Sequence, residues 1–171
     1  GIVTDQSIRI AGDEFTNDII DYMKRKHNIL IGERTAEQIK INVGAAIADL
    51  TEPPPKYAVN GRDMLTGIPK QVFTTHVEVA EALDKSIAKI EEAVLKALED
   101  TPPELSSDIY RTGIYLTGGG ALLRGLDRRM AAKTKLNVHI ADDPLRAVVR
   151  GTGIALKNSH KYSFLMDRKS I

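Results

Sequence analysis

Three consecutive glycines, Gly118 to Gly120, separate two apolar segments. The run 113–116 before them predicts a short buried strand. A helix is predicted after them, because apolar residues recur there at helical spacing: Leu122, Leu123, Leu126 and Met130. Glycines let the chain turn sharply and keep side chains away from a ligand, while N–H groups at a helix start attract anions. The stretch therefore predicts either a phosphate-binding turn or simply a tight strand-to-helix connection.

Glu37 and Lys40 form a second pair of residues that could bind a ligand. They lie three residues apart on a predicted helix, which a capping box at Thr35 to Gln38 is expected to start. One side chain is a long acceptor and the other a long donor, which suits the hydroxyls and the ring of a nucleoside. The alternative is a solvated ion pair of little energetic value. A nucleotide lying between this helix and the glycine turn would use both features.

The sequence gives little support for nucleophilic catalysis, a metal site, nucleic-acid binding or a membrane span. No serine lies in a Gly-x-Ser-x-Gly context, and the four histidines are far apart with no metal-ligand spacing. The absence of cysteine excludes disulfides and thiolate catalysis. Neither a Walker A nor a GxGxxG motif is present. A net charge of +1 gives no basic field for nucleic acid. No apolar run approaches a membrane span, and the first residues do not have the order of a signal peptide.

The first half of the chain predicts two helices and a small β element. Residues 2–10 are expected to form a hairpin arm or a strand pair, and a helix capped by Asp13 should run to about Lys26. Residues 28–32 are a loop or a short buried segment. Three prolines then end the second helix, and a β element over 57–75 contains two competing turn signals. On the residues alone the favoured turn is Asn60-Gly61, and the other is Thr66-Gly67.

The second half begins with the longest predicted helix, over 76–99, which a capping box from Thr75 to Glu78 should start. A short helix near 101–104, a strand over 137–141 and a helix begun by Asp143-Pro144 follow. Gly151 and Gly153 in or near that last helix imply close packing or a helix stop. The apolar cluster 164–166 lies in a basic tail and is either a frayed end or an element that needs a partner surface.

Several motifs, in order from the first residue to about Leu156, resemble the MreB family of bacterial actin homologues. They are Ile8 to Glu14, Gly32 to Lys40, Thr101 to Leu105, Leu116 to Asp127 and Asp143 to Leu145. The wider relatives are actin, Hsp70 chaperones and sugar kinases. The resemblance implies the second half of such a protein, since the family's phosphate loops and catalytic glutamate do not occur in this chain. By the same comparison, the β element turns at Thr66-Gly67.

The resemblance implies an α/β, actin-like ATPase fold, related to ribonuclease H, of which the chain forms the lower lobe. Residues 1–12 and 80–156 would form the larger subdomain, residues 13–79 a smaller inserted α+β subdomain, and residues 157–171 a tail. The implied ligand is ATP or ADP with Mg²⁺, the metal being held mainly by the other half. The implied binding residues are Glu37, Gln38, Ile39 and Lys40 on the adenosine side, and Gly118, Gly119, Gly120 and Ala121 on the purine and phosphate side. No catalytic residue and no metal ligand is implied in this chain.

The implied function is that of a filament-forming cytoskeletal protein. It would bind ATP, polymerise in the cytoplasm on the inner face of the membrane, and position wall synthesis together with membrane-associated cell-shape proteins. The intact protein would be a slow ATPase, and this chain alone would have no turnover, because half of a clamp cannot align the γ-phosphate. An Hsp70-like chaperone ATPase lobe is the alternative. A sugar kinase lobe is disfavoured because no polar sugar-cleft motif is visible.

Overall fold

A computed structural model describes residues 2–163 of the chain, which form a mixed α/β structure. Most predicted helices and strands are present. The helices are α1 (Gly12–His27), α2 (Glu33–Val43), α3 (His76–Glu99), α4 (Ser106–Thr112), α5 (Leu126–Thr134) and α6 (Pro144–Lys157). The strands are β1 (Ile29–Leu30), β2 (Tyr57–Asp63), β3 (Pro69–Thr74), β4 (Ile114–Leu116) and β5 (Val138–Ile140). Two 3₁₀ turns, Pro103–Leu105 and Gly119–Leu122, complete the order.

The first sheet is antiparallel, with the strand order β1-β2-β3. Its hairpin turns at Thr66-Gly67, where Gly67 has a φ of 72°. The residue-based preference for Asn60-Gly61 is wrong, because both residues lie inside β2 and Asn60 pairs with Gln71. A Cβ on Gly61 would collide with the side chain of Ile29, so this glycine serves the close approach of β1.

The second sheet consists of β4 and β5, which are parallel and paired from Ile114–Val138 to Leu116–Ile140. The connection between them contains the glycine turn and then α5. Parallel strands require such a crossover, which brings the glycine turn to the carboxyl end of β4. The turn thereby lies beside the start of α6, since the Gly118 N–H donates to the Pro144 carbonyl over 2.8 Å.

The core is one apolar cluster between the first three helices, the first sheet and α5. Its largest fully buried members include Ile19, Met23, Ile39, Leu83 and Met130. The amphipathic stripes predicted from the sequence supply these residues, because each stripe faces the common interior. The cluster takes residues from both predicted subdomains, and the division at residues 12, 79 and 156 stays a prediction.

Three expectations near the amino end of the described chain are wrong. Residues 2–10 contain no strand, and Ile2 and Val3 are exposed. An alternating pattern forms a strand only where a partner backbone accepts its hydrogen bonds, and none of the described strands pairs with this segment. The N-cap of α1 is Ala11 instead of Asp13, which lies in the first turn. Helix α2 starts at Glu33 after Gly32, so the expected capping box at Thr35 is inside the helix.

The structure confirms the prediction for the start of α3 and corrects the prediction for the two glycines of α6. The capping box of α3 is confirmed, since the Thr75 hydroxyl accepts from the Glu78 N–H and the Glu78 carboxylate accepts from the Thr75 N–H. Gly151 and Gly153 neither stop α6 nor pack closely, because a Cβ on either would meet open space. The apolar cluster 164–166 lies outside the described residues. Among residues 2–163, no helix is long and apolar enough to cross a membrane.

Candidate functional site

A cleft of about 640 Å³ lies where the start of α1, one face of α2 and the glycine turn meet. The two features singled out in the sequence face each other across it: Glu37 and Lys40 on one wall, Gly119 and Gly120 on the other. The remaining lining residues are Gly12, Asp13, Phe15, Ile41, Leu122, Leu123 and Leu145. The sequence therefore identified both polar walls of this cleft but not most of its apolar surface.

The glycine turn presents bare backbone to the cleft. A Cβ on Gly120 would meet nothing within 4 Å, and one on Gly119 would meet only the Leu145 side chain at 3.4 Å. Both residues begin a 3₁₀ turn, whose first N–H groups have no partner inside it. These two amides can donate to an anion or to another acceptor.

The prediction that a helix starts directly after the glycines is wrong. The chain passes through the 3₁₀ turn and through Gly125, which has a φ of 75°, before α5 starts at Leu126. The apolar spacing from Leu122 onward predicted a helix too early, because Leu123 packs into the core from a non-helical segment. The dipole of α5 therefore does not act at the glycines, and any anion binding there depends on the local amides.

Lys40 is the most constrained charged group of the site. Its Nζ donates to the Gly12 carbonyl over 3.0 Å and to the Thr16 hydroxyl over 3.2 Å, and it forms an ion pair with Glu37. Only 15% of the Lys40 side chain is exposed, compared with 46% for Glu37. The pair is therefore more than a solvated surface ion pair, since Lys40 ties α2 to the start of α1.

The other predicted binding residues lie beside the cleft without lining it. Ile39 is fully buried in the core, so its side chain cannot contact a ligand. Gln38 is exposed on another face of α2, and Ala121 is buried. The Gly118 N–H is already bonded to Pro144. Each of these residues flanks a lining residue in sequence, but helical geometry turns adjacent side chains about 100° apart.

Two apolar residues of the cleft escaped the sequence analysis, and a sequence signal existed for only one of them, Ile41. Ile41 lies four residues after Glu37 and so shares its helix face. The residue is 58% exposed, which is unusual for isoleucine. Leu145 is contributed by α6 across the Gly118–Pro144 contact, and nothing in the local sequence connects it with α2.

A backbone bridge fixes the distance between the two walls. After α2, the Ala46 N–H donates to the Arg124 carbonyl over 2.8 Å, and the Arg124 guanidinium donates to the Gly44 carbonyl over 3.2 Å. Gly44 has no room for a Cβ, which would strike the Lys40 carbonyl and the Leu123 side chain. Helix α2 and the segment after the glycine turn are therefore held as one unit.

A wider, open groove of about 1060 Å³ lies between α3 and α5 and contains none of the predicted binding residues. At its base, Arg129 pairs with Glu91 over 2.7 Å and with Asp84 over 2.9 Å. Burial alone would lower the pKa of Arg129, but the two carboxylates outweigh it and raise that pKa. This network joins two helices of the core. Among residues 2–163, no group of three acidic, histidine or cysteine residues could hold a metal ion.

Comparison with known proteins gives a consistent result over almost the whole chain. The family model described as MreB/Mbl protein matches residues 1–163. The cell shape-determining protein Mbl of Bacillus subtilis is 46% identical over 160 residues, which are 94% of this chain and 47% of that protein. The cell shape-determining protein MreB of Escherichia coli K12 is 45% identical over 92% of this chain and 45% of its own length. The chain thus spans about half the length of the curated relatives it matches.

Solved structures agree with this result. MreB5 of Spiroplasma citri bound to AMPPNP superposes with a TM-score of 0.88 at 37% identity, covering 94% of this chain and 48% of that one. The same protein bound to ADP gives a TM-score of 0.85 over 91% of this chain and 47% of that one. The MamK filament structure, at 19% identity and a TM-score of 0.68 over 88% of this chain and 45% of that one, supports the fold alone.

These comparisons confirm the resemblance and the actin-like α/β fold, and they do not favour the chaperone alternative. That the matched half is the carboxyl-terminal one stays a prediction. The chain belongs to the MreB/Mbl family of cell shape-determining, actin-like proteins.

Proposed function

We propose that the full-length protein binds ATP and ADP in the cleft between α2 and the glycine turn. The observation that carries this proposal is the meeting of Glu37, Lys40, Gly119 and Gly120 around one cleft. Support comes from MreB5 of Spiroplasma citri, which is 37% identical and has been solved with ADP and with AMPPNP.

The chemistry of the walls fits a nucleotide. The Glu37 carboxylate, almost half exposed, can accept from ribose hydroxyls, and Lys40 can donate beside it. The N–H groups of Gly119 and Gly120 suit a phosphate, since no side chain keeps it at a distance. Exposed Ile41 and Leu122 offer apolar surface to a purine ring.

Nucleotide hydrolysis requires groups that we assign to the half of the relatives' length that this chain does not span. A bound nucleotide would bring Mg²⁺ to neutralise its phosphates, and we expect that half to hold the metal. The described residues of the cleft supply binding and orientation. We accordingly propose a slow ATPase for the full-length protein and no turnover for this chain alone.

We further propose that nucleotide binding controls polymerisation into filaments in the cytoplasm, at the inner face of the membrane. There the filaments would organise membrane-associated cell-shape and wall-synthesis proteins, with membrane contact through the other half and no nucleic-acid partner. The relatives Mbl of Bacillus subtilis and MreB of Escherichia coli are both named cell shape-determining proteins, which supports this role.

Sedimentation of the full-length protein with ATP and anionic lipid vesicles tests the proposal. Wild type should form filaments that pellet and are visible by electron microscopy. Lys40→Ala should need at least about tenfold more ATP, because it removes a donor held at the centre of the site. Lys89→Ala is the matched control, since Lys89 is exposed on α3 away from the cleft. Wild type that stays monomeric at high concentration with ATP and lipid would contradict the proposal.

A further inference from the structure

Thr16 lies directly behind the cleft and contacts three of its residues. The residue is 8% exposed. The hydroxyl oxygen is 2.9 Å from the Gly12 carbonyl oxygen, 3.3 Å from Glu37 Oε2 and 3.2 Å from Lys40 Nζ. No motif in the sequence singled this residue out, because a threonine in a helix commonly bonds the carbonyl four residues earlier.

All three N–H donors of the Lys40 ammonium are used within this cluster. Lys40 has three N–H donors, and three acceptors face them: the Gly12 carbonyl, the Thr16 hydroxyl and the Glu37 carboxylate. The Thr16 hydroxyl accepts from Lys40 and has one hydrogen to donate, either to Gly12 or to Glu37. Removing the hydroxyl would leave Lys40 one acceptor short in a place where only 15% of its side chain is exposed.

Whether the Thr16 hydroxyl donates to Gly12 or to Glu37 matters for ligand binding, because Glu37 lines the cleft. Glu37 lines the 640 Å³ cleft and also a second, polar cavity of about 440 Å³ that Thr16 lines as well. Gly12 and Lys40 line only the first of the two. The Thr16 hydroxyl therefore sits in the wall between the cavities, where it constrains both members of the Glu37–Lys40 pair.

We propose that Thr16 is a positioning residue of the nucleotide site, an inference that rests on the proposed function. Its hydroxyl holds the Lys40 ammonium between α1 and α2. When it donates to Gly12, the Glu37 carboxylate keeps only its ion pair with Lys40, and its remaining lone pairs are left for ligand hydroxyls. Thr16 itself makes no contact with the nucleotide and acts through these two side chains.

The test compares Thr16→Val, Thr16→Ser and Thr152→Val in the full-length protein. Valine keeps the shape of threonine and removes the hydroxyl, while serine keeps the hydroxyl. Thr152 is the matched control, because its hydroxyl also bonds the carbonyl four residues earlier, in α6, and among residues 2–163 it forms no hydrogen bond with a charged group. Two quantities are measured: the affinity for ADP, and the ¹⁵N signal of the Lys40 ammonium without ligand, assigned by its loss in Lys40→Arg.

Thr16→Val should weaken ADP binding about fivefold, which corresponds to one hydrogen bond, and should shift or broaden the Lys40 signal. Thr16→Ser should restore both, and Thr152→Val should change neither. Wild-type affinity together with an unchanged Lys40 signal in Thr16→Val would overturn the role of Thr16 and leave the proposed function standing. A wild-type protein that binds no ADP would overturn the proposed function itself, and the role of Thr16 with it.

Discussion

At the scale of single residues, the space around Gly44 sets the position of α2. Any Cβ there would meet the Lys40 carbonyl and Leu123, so Gly44→Ala should destabilise the protein by about 1–3 kcal/mol through overpacking. Gly151→Ala is the control, since its Cβ would point into open space within α6 and should stabilise by about 0.5–1 kcal/mol. Chemical denaturation measures both. Equal effects of the two substitutions would contradict the packing described around Gly44.

The hairpin turn depends on one carboxylate. Asp63 accepts from the Thr66 N–H over 3.0 Å, from Lys70 over 3.0 Å and from the Leu65 N–H over 2.9 Å. These contacts, that of the Thr66 N–H first, hold the pKa of Asp63 well below its usual range.

A lowered pKa in the folded state means that the ionised form stabilises the fold. This stabilisation is complete above the unfolded pKa of about 3.9 and is lost as the pH falls through the folded pKa. At pH 7, Asp63→Asn should therefore speed amide hydrogen exchange of Leu65 and Thr66, and the difference from wild type should shrink below about pH 4. An exchange difference that does not depend on pH would show that the charge of Asp63 is not what holds the turn.

At the scale of elements, two sequences that both fit a capping box behave differently. Thr75 caps α3 with both reciprocal bonds, whereas Thr35 lies inside α2 and its hydroxyl makes no hydrogen bond among the described residues. Thr75→Ala should cost about 1 kcal/mol of unfolding free energy, and Thr35→Ala less than about 0.5 kcal/mol. Denaturant unfolding of the two variants compares them directly. A larger loss from Thr35→Ala would contradict the observed start of α2.

Helices that depend on local sequence were predicted correctly, whereas features that depend on distant segments were not. Apolar stripes predicted α1, α2 and α3 because burial at helical spacing is a local pattern, as with Val79, Leu83 and Ile87. Strand formation over 2–10 failed because pairing depends on a partner that local sequence does not contain. Asn60-Gly61 failed as a turn because the glycine is required by β1, which lies about thirty residues earlier in the chain.

At the scale of the whole molecule, about half of the predicted binding residues line the cleft. Glu37, Lys40, Gly119 and Gly120 were found from residue type and spacing, and the structure brings them together. Ile39 was assigned as a binding residue from the family resemblance, together with its sequence neighbours, although its side chain is buried in the core. Leu145 and Thr16 could not be found, since their places depend on how α6 and α1 pack.

The chain alone should lack the slow ATPase activity that we propose for the full-length protein. The chain spans about half of the length of its curated relatives, and its described cleft residues supply only part of the proposed site, which must exclude water and align a phosphate. Purified chain should show no ATP hydrolysis above a blank and weak ADP binding at best. Phosphate release measured with the chain and with the full-length protein decides this, and turnover by the chain would refute it.

The central claim is that a nucleotide lies between α2 and the glycine turn. Amide hydrogen exchange of the full-length protein with and without ADP tests this claim most directly. We predict that ADP slows exchange at Gly119, Gly120 and the first turn of α1, and leaves the α3–α5 groove unchanged. Protection confined to that groove, or ADP binding with no change at the two glycines, would contradict it.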